Sequence, residues 1–319
     1  LADQVTDHLY EIYSVPVDGS SAPVEQTGFL SLGISDGPID ADKVCIAFTG
    51  VELKGQGAPM MIDVGDPGPD DVVNINLIAV PGDNAAPLLS NVELEAGEYQ
   101  WLRLAVNADM GAGGGAGGSL DPDTCEGDFS YVVIDGAPYN LYIPSGAESG
   151  LKFNNGITIP ATVPVAYTAE FDLMLSIKER IGENPDVKMR PTVRLVNNLE
   201  VGTLTGDVDN ALVDGCPAPA DTSNAPGPMV YVFNDGVTPN AIAAADAPAD
   251  DNDPVATAKV EALQNADGST SYDYTVGFLP GDEFGSYEAA FTCDGTEFQP
   301  PEGKPVTINA GEVTAVPFP

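Results

Sequence analysis

The chain has very few basic side chains. Its 319 residues include 11 Lys and Arg against 49 Asp and Glu, which gives a formal net charge of -38. Binding to DNA, RNA or anionic lipid requires a basic surface that displaces counterions, so a chain this acidic is repelled by all three. The composition therefore excludes nucleic acids and anionic membranes as partners.

Histidine is almost absent, since His8 is the only one. Imidazole-based catalysis and His-rich zinc sites therefore lack their main residue. A Ser or Cys nucleophile would still need a general base in reach, and paired carboxylates arise by chance among 49 acids. No catalytic motif emerges, and we expect that the protein is not an enzyme.

Long apolar runs are also missing. No segment approaches the roughly 18 apolar residues that a membrane-spanning helix needs, so we expect no membrane insertion. The chain begins at Leu1 without Met and without a basic, apolar leader. That start is typical of a secreted protein after removal of its signal peptide, and it predicts an extracellular or cell-surface location.

Cysteine is scarce, and none of the four residues forms a CxxC pair that would suggest zinc. Four cysteines allow three pairings, of which one keeps each bridge within one half of the chain. We therefore expect the disulfides Cys45–Cys125 and Cys216–Cys293 and an oxidising compartment. Four free thiols in a cytosolic protein are the alternative.

Short apolar alternations bounded by Gly, Pro, Asp and Asn, by contrast, recur along the whole chain. This pattern is typical of β-sandwiches and barrels. It predicts an all-β protein with two tandem β-sandwich domains, at residues 28–196 and 197–319, after an N-terminal extension at residues 1–27. The second domain is expected to be immunoglobulin- or transthyretin-like. Glu170–Ile181 is the one helix candidate, but its apolar alternation favours a strand.

Acidic clusters in loops suggest calcium, which takes six to eight oxygen ligands. One cluster contains Asp250, Asp251 and Asp253, and a second contains Asp121, Asp123 and Asp128 around Cys125. No cluster has the EF-hand spacing. Calcium is the one cofactor we consider, and a solvated acidic loop is the alternative for each cluster.

An ordered set of short motifs resembles a known family. The most specific motif is PSGAESGLKF at Pro144–Phe153, with SDGP at Ser35–Pro38, AGEYQWLRL at Ala96–Leu104, EFDL at Glu170–Leu173 and MRPTVR at Met189–Arg194. The set, from about residue 28 to 196, resembles a family of secreted proteins and lipoproteins from bacteria and archaea, catalogued as domain of unknown function 4382. Residues 230–291 are similar to transthyretin-like and carboxypeptidase-regulatory sandwiches. The resemblance implies β architecture and a cell-surface location, and no activity.

Basic side chains are concentrated in these motifs. Lys152, Arg103, Arg190 and Arg194 are four of only 11 in the chain. We interpret them as partners of carboxylates such as Glu170 or Asp172 within the sandwich. An anion-binding pocket is the alternative.

The N-terminal extension contains a strand-like apolar stretch with no evident partner in the first domain. It includes Leu9, Ile12, Tyr13, Val15 and Val17. Such a strand can complete the open edge of the sheet of the next subunit, or it can pack on its own domain as an edge strand.

Together these features lead to a structural hypothesis. The protein is expected to be the subunit of an extracellular filament, a homopolymer that assembles head to tail when the N-terminal extension adds a strand to the next copy. The alternative is a monomeric surface module that binds calcium, carbohydrate or another surface protein. The high negative charge then keeps the protein soluble, and assembly requires salt to screen the repulsion.

Overall fold

The chain forms an all-β protein, as the sequence predicts. The computed structural model describes residues 13–14, 24–37, 39, 41–65, 72–109, 123–144, 150–180, 186–217, 227–242, 252–281 and 285–319. Within these residues, 25 strands, one short 3-10 helix and two short α-helices make up the regular structure. None of the described helices is long and apolar enough to span a membrane.

Seventeen of the strands precede residue 198. They are β1 Tyr13–Ser14, β2 Val24–Glu25, β3 Thr27–Gly37, β4 Lys43–Lys54, β5 Met60–Ile62, β6 Val73–Asn76, β7 Ala86–Glu95, β8 Gly97–Tyr99, β9 Trp101–Val106, β10 Tyr131–Ile134, β11 Ala137–Tyr142, β12 Leu151–Phe153, β13 Ile157–Ile159, β14 Pro164–Asp172, β15 Ile177–Arg180, β16 Val187–Met189 and β17 Val193–Asn197. The 3-10 helix is Leu77–Ala79, and helix α1 is Leu173–Ser176.

Two larger sheets enclose the core of this first sandwich. A four-stranded sheet has the order β17-β14-β3-β7. A nine-stranded sheet follows the path β12-β9-β4-β10-β11-β16-β15, with β5 and β6 also paired to β4. The apolar core lies between them, because alternate residues of the strands point inward, as do Leu30, Leu32 and Ile34 of β3. Strands β8 and β13 form a separate pair.

Eight strands follow residue 200. They are β18 Val201–Val208, β19 Met229–Asn234, β20 Ala256–Lys259, β21 Glu261–Gln264, β22 Thr270–Pro280, β23 Ser286–Thr292, β24 Phe298–Thr307 and β25 Val313–Ala315, and helix α2 is Asn210–Asp214. They form two four-stranded sheets, β21-β22-β18-β25 and β20-β19-β23-β24, around a second core.

The two sandwiches share no sheet among the described strands. Every described pairing joins either two strands up to Asn197 or two strands from Val201 onward. Only Asn198, Leu199 and Glu200 separate β17 from β18. This three-residue connector brings the second sandwich directly against the end of the first.

Both expected disulfides are present in the structure. Cys45 of β4 is bonded to Cys125, and Cys216 after α2 is bonded to Cys293 after β23. No described cysteine is free. Each bridge therefore lies within one sandwich.

The expected strand through Phe171–Leu175 is interrupted. Strand β14 ends at Asp172, and one turn of helix, α1, follows before β15 begins. The reason is local, because the Asp172 carboxylate accepts a hydrogen bond from the backbone N–H of Leu175 at 3.0 Å and so caps the turn. The sequence alternation gave no sign of this cap.

The N-terminal extension is described only in part. Tyr13 and Ser14 pair antiparallel with Glu25 and Val24, so β1 and β2 form a short local ribbon. Leu9, Ile12, Val15 and Val17 lie outside the described residues.

Candidate functional site

The two sandwiches meet through close backbone contact and a few polar bonds. A Cβ atom at Gly277 of β22 would lie 2.4 Å from the carbonyl oxygen of Gly82, so the junction is tight enough to require glycine there. The Tyr231 hydroxyl of β19 lies 3.0 Å from the Met174 sulfur of α1. These contacts place the ends of β3 and β14 against the second sandwich.

Three buried carboxyl groups lie near this junction, at the paired ends of β3 and β14. Strands β3 and β14 pair in parallel, with Asp36 opposite Phe171, Glu170 opposite Ser35 and Asp172 opposite Gly37. All three acids are buried, with exposed fractions of 3% for Asp36, 8% for Glu170 and 6% for Asp172. Buried carboxylates are costly unless they are paired or protonated, so this cluster is the most unusual chemical feature among the described residues.

One arginine forms an ion pair with a member of this group of carboxyl groups. Arg194 of β17 lies opposite Glu170 in the antiparallel pairing, and its Nε donates to the Glu170 carboxylate. Its Nη2 also lies 3.4 Å from the carbonyl oxygen of Gly277, across the junction. Burial disfavours the charged form of Arg194, but the Glu170 carboxylate outweighs this and raises the pKa of the guanidinium. Arg194 therefore has a carboxylate partner within the sandwich, as expected of the basic residues in the motifs.

Asp172 bridges the two sandwiches. Its second oxygen, Oδ2, lies 3.5 Å from the Thr257 hydroxyl of β20. Burial raises the pKa of Asp172 to about 7, against the opposing hydrogen bond from the Leu175 N–H. Near neutral pH this carboxyl group is thus divided between its neutral and charged forms.

Asp36 is the least satisfied member of the cluster. Its Oδ1 is shielded from solvent and has no hydrogen-bond partner among the described residues. Burial, together with repulsion from Asp172 and Glu170, raises the pKa of Asp36 well above its usual value. Burial and the neighbouring carboxylates thus both favour the protonated form of this carboxyl group.

A cleft of about 380 Å³ opens beside Asp36 between the sandwiches. The first sandwich contributes Asp36 and Asp83 to its walls, and the second contributes Glu261, Asp273 and Lys259. Four carboxyl groups therefore face one ammonium group. Clefts lined mostly by one sign of charge concentrate oppositely charged ligands.

Comparison with protein families identifies the first sandwich. A family model described as "Domain of unknown function (DUF4382)" matches residues 27–191, which is more than half of the chain. The chain belongs to the DUF4382 family. The match confirms the resemblance inferred from the motifs, and it includes Asp36, Glu170 and Asp172. Arg194 and the second wall of the cleft lie beyond it, and the transthyretin-like resemblance of the second sandwich stays a prediction.

Other comparisons add little to the DUF4382 assignment. No curated protein matches the chain. Among solved structures, the fimbrial anchor protein Mfa2 from Porphyromonas gingivalis aligns at 10% sequence identity over 86% of this chain and 80% of that one. Its TM-score is 0.20, which does not establish a shared fold.

The other basic residues of the DUF4382 motifs have separate contacts. Arg103 forms an ion pair with Glu52 at 2.6 Å, and the Lys152 ammonium lies 4.4 Å from the centre of the Trp101 ring. The backbone N–H of Arg190 donates to the carbonyl of Ser176. The structure thus gives a carboxylate partner to Arg103 as well as to Arg194.

The predicted calcium ligands are described only in part. Asp121, Asp250 and Asp251 lie outside the described residues. Asp123 and Asp128 are exposed, and Asp253 is buried. Within the described part of the chain, no group of three or more His, Cys, Asp or Glu side chains is arranged to hold a metal ion. Calcium binding at the two clusters stays a prediction.

Sequence reasoning missed Asp36 and the cleft. Asp36 belongs to the SDGP motif, but no role followed from the motif alone. Its environment depends on the pairing of β3 with β14, whose residues are more than 100 positions apart in the chain. The clearest available signal was the end of the apolar alternation of β3, where Ile34 is followed directly by Ser35 and Asp36.

Proposed function

We propose that this DUF4382 protein is a structural subunit of an extracellular filament, in which the N-terminal extension of one copy adds a strand to a sheet of the next. The proposed role is mechanical and requires no catalysis. Two disulfides fit an oxidising compartment outside the cytoplasm.

The observation that carries the proposal is the open edge at β7. This strand has ten residues, and among the described strands it pairs only with β3. Long edge strands expose unpaired N–H and C=O groups and accept further strands unless something blocks them. Tyr13, Val15 and Val17 alternate in the N-terminal extension, as a donated strand requires, and donation would replace the pairing of Tyr13 with Glu25 of its own chain.

The high negative charge of the subunits makes the proposed assembly dependent on salt. Each subunit carries a formal net charge of -38, so neighbouring copies repel one another. Salt shortens the range of this repulsion to about 8 Å at physiological ionic strength. We therefore expect assembly in salt and dissociation in pure water.

Electron microscopy and sedimentation of the purified chain test the proposal. Filaments are expected at about 0.15 M salt, and Val15→Asp with Val17→Asp should abolish them because donated side chains pack in an apolar groove. Val163→Asp introduces the same residue at an exposed position between β13 and β14 and serves as the control. A wild-type chain that stays monomeric at high concentration in salt, or a double variant that still polymerises, would contradict the proposal.

A second candidate function rests on the cleft between the sandwiches. A monomeric surface module that binds a ligand would use this cleft and would not polymerise. The two functions differ in assembly state, so the sedimentation experiment separates them.

A further inference from the structure

The cleft between the sandwiches continues as a row of acidic side chains on the second sandwich. Glu261 of β21 lies directly opposite Asp273 of β22, and Asp273 lies directly opposite Asp207 of β18. Residues directly opposite on neighbouring strands point to the same face, and the strands are about 4.8 Å apart. Three carboxylates therefore stand in a line across three strands.

Among the described residues that line the cleft, Lys259 carries the one positive charge near this row. No hydrogen bond or ion pair from a described residue reaches the carboxylates of Asp207, Asp273 or Glu261. Like charges directly opposite one another destabilise a sheet. Two of the three, Asp273 and Glu261, line the cleft, and this arrangement fits the binding of a cation there.

Asp36 gives an independent reason to expect a cationic ligand. It lies in the wall of the same cleft, 3% exposed, and its Oδ1 lacks a hydrogen-bond donor. Rotation about χ2 of an Asp side chain is broad, so either oxygen can turn toward a donor that enters the cleft. The backbone N–H groups of Leu173 and Gly37 bond the Asp36 carboxyl group but leave Oδ1 without a donor, and the lining of the cleft has an excess of negative charge.

We propose that the cleft binds a linear aliphatic polyamine. Ammonium groups spaced along a chain match carboxylates spaced along a row, whereas a metal ion needs ligands that converge on one point. No such convergent group exists among the described residues. Methylene groups between the ammonium groups would pack on Ile78 and Leu263, which also line the cleft.

Binding is coupled to a proton at Asp36. In the free protein the pKa of Asp36 is raised, first by burial and then by repulsion from Asp172 and Glu170. An ammonium group next to it favours the charged form, so the carboxyl group releases its proton as the polyamine binds. Measured proton release therefore distinguishes binding in the cleft from nonspecific association of the polyamine with the acidic surface.

Titration calorimetry of the full chain with spermidine at pH 6 tests the proposal. Asp273→Asn with Glu261→Gln should weaken binding by about tenfold or more, because each carboxylate makes a charge-assisted bond. Glu297→Gln with Glu302→Gln removes the same charge at exposed positions outside the cleft and should leave the affinity within about twofold. Equal loss in both double variants would overturn the proposal, as would equal binding of uncharged 1,8-octanediol.

The role of Asp36 has its own measurement. Heats recorded in two buffers of different ionisation enthalpy give the protons released on binding, and the wild type should release a fraction of a proton that Asp36→Asn does not. The Asn variant keeps the size and neutrality of the protonated acid, so it is expected to fold. Unchanged proton release in Asp36→Asn would contradict the proposal. Binding of tetralysine without binding of spermidine would also overturn it and would identify a basic peptide as the ligand.

Discussion

Asp172 has two tasks at the junction, since it caps α1 and reaches toward Thr257 of the second sandwich. Both tasks are compatible with a neutral or a charged carboxyl group, but burial favours the neutral one. Its pKa is about 7 in the folded protein and near 3.8 in an exposed side chain. The folded state therefore holds a proton over a pH range in which the unfolded state has lost it.

This difference predicts that the free energy of unfolding falls as pH rises from about 4 to 7. The loss due to Asp172 is about 4 kcal/mol across that range. Urea denaturation at several pH values measures it, and Asp172→Asn should flatten the slope while it keeps the cap. Asp214→Asn, at an exposed position in α2, is the control for net charge. Parallel slopes for wild type and Asp172→Asn would contradict the prediction.

The sequence predicted the contacts of some residues better than those of others. The pairing of Arg194 with Glu170 was predictable, because cations are so rare in this chain that each is expected to have a carboxylate partner. The missing hydrogen-bond donor at Asp36 Oδ1 was not predictable, because it depends on which strands meet at the C-terminal end of β3. The disulfides lie between these cases, since their pairing followed from the division of the chain into two parts.

Elements were predicted best where the alternation is strict. Leu102, Leu104 and Val106 of β9 are buried as their spacing indicates. Strand β4 is buried on both faces, because Cys45 and Ala47 are covered as well as Ile46, so alternation alone underestimates its burial. The apolar pattern is weaker in β7 and β18, where small and polar residues interrupt it.

The acidic row across β18, β22 and β21 makes a prediction about sheet stability. Asp273 lies between Asp207 and Glu261, so Asp273→Asn removes two repulsive contacts at once. We expect the free energy of unfolding to rise by about 0.5–1 kcal/mol at low salt. The gain should shrink in 1 M salt, where screening already weakens the repulsion. Urea denaturation at both salt concentrations measures it, and a loss of stability in the variant would contradict this account of the row.

At the scale of the whole molecule, each sandwich is closed by a disulfide over a long stretch of chain. Cys216 and Cys293 are 77 residues apart, so their bridge removes much conformational freedom from the unfolded state. Cys216→Ser with Cys293→Ser should lower the free energy of unfolding by about 2–5 kcal/mol. Urea denaturation of the wild type and the double variant, each with and without reductant, measures this loss for the second sandwich. An unchanged midpoint in the double variant would contradict it.

The connector Asn198–Glu200 limits how far the two sandwiches can separate if the contacts at their junction break. Four peptide units link Asn197 to Val201, so the two ends cannot separate by more than about 14 Å. Such a tether keeps the two faces at a high effective concentration, because each searches only a small volume for the other. Opening and reclosing of the junction should therefore be a reversible first-order process whose rate does not change when the solution is diluted.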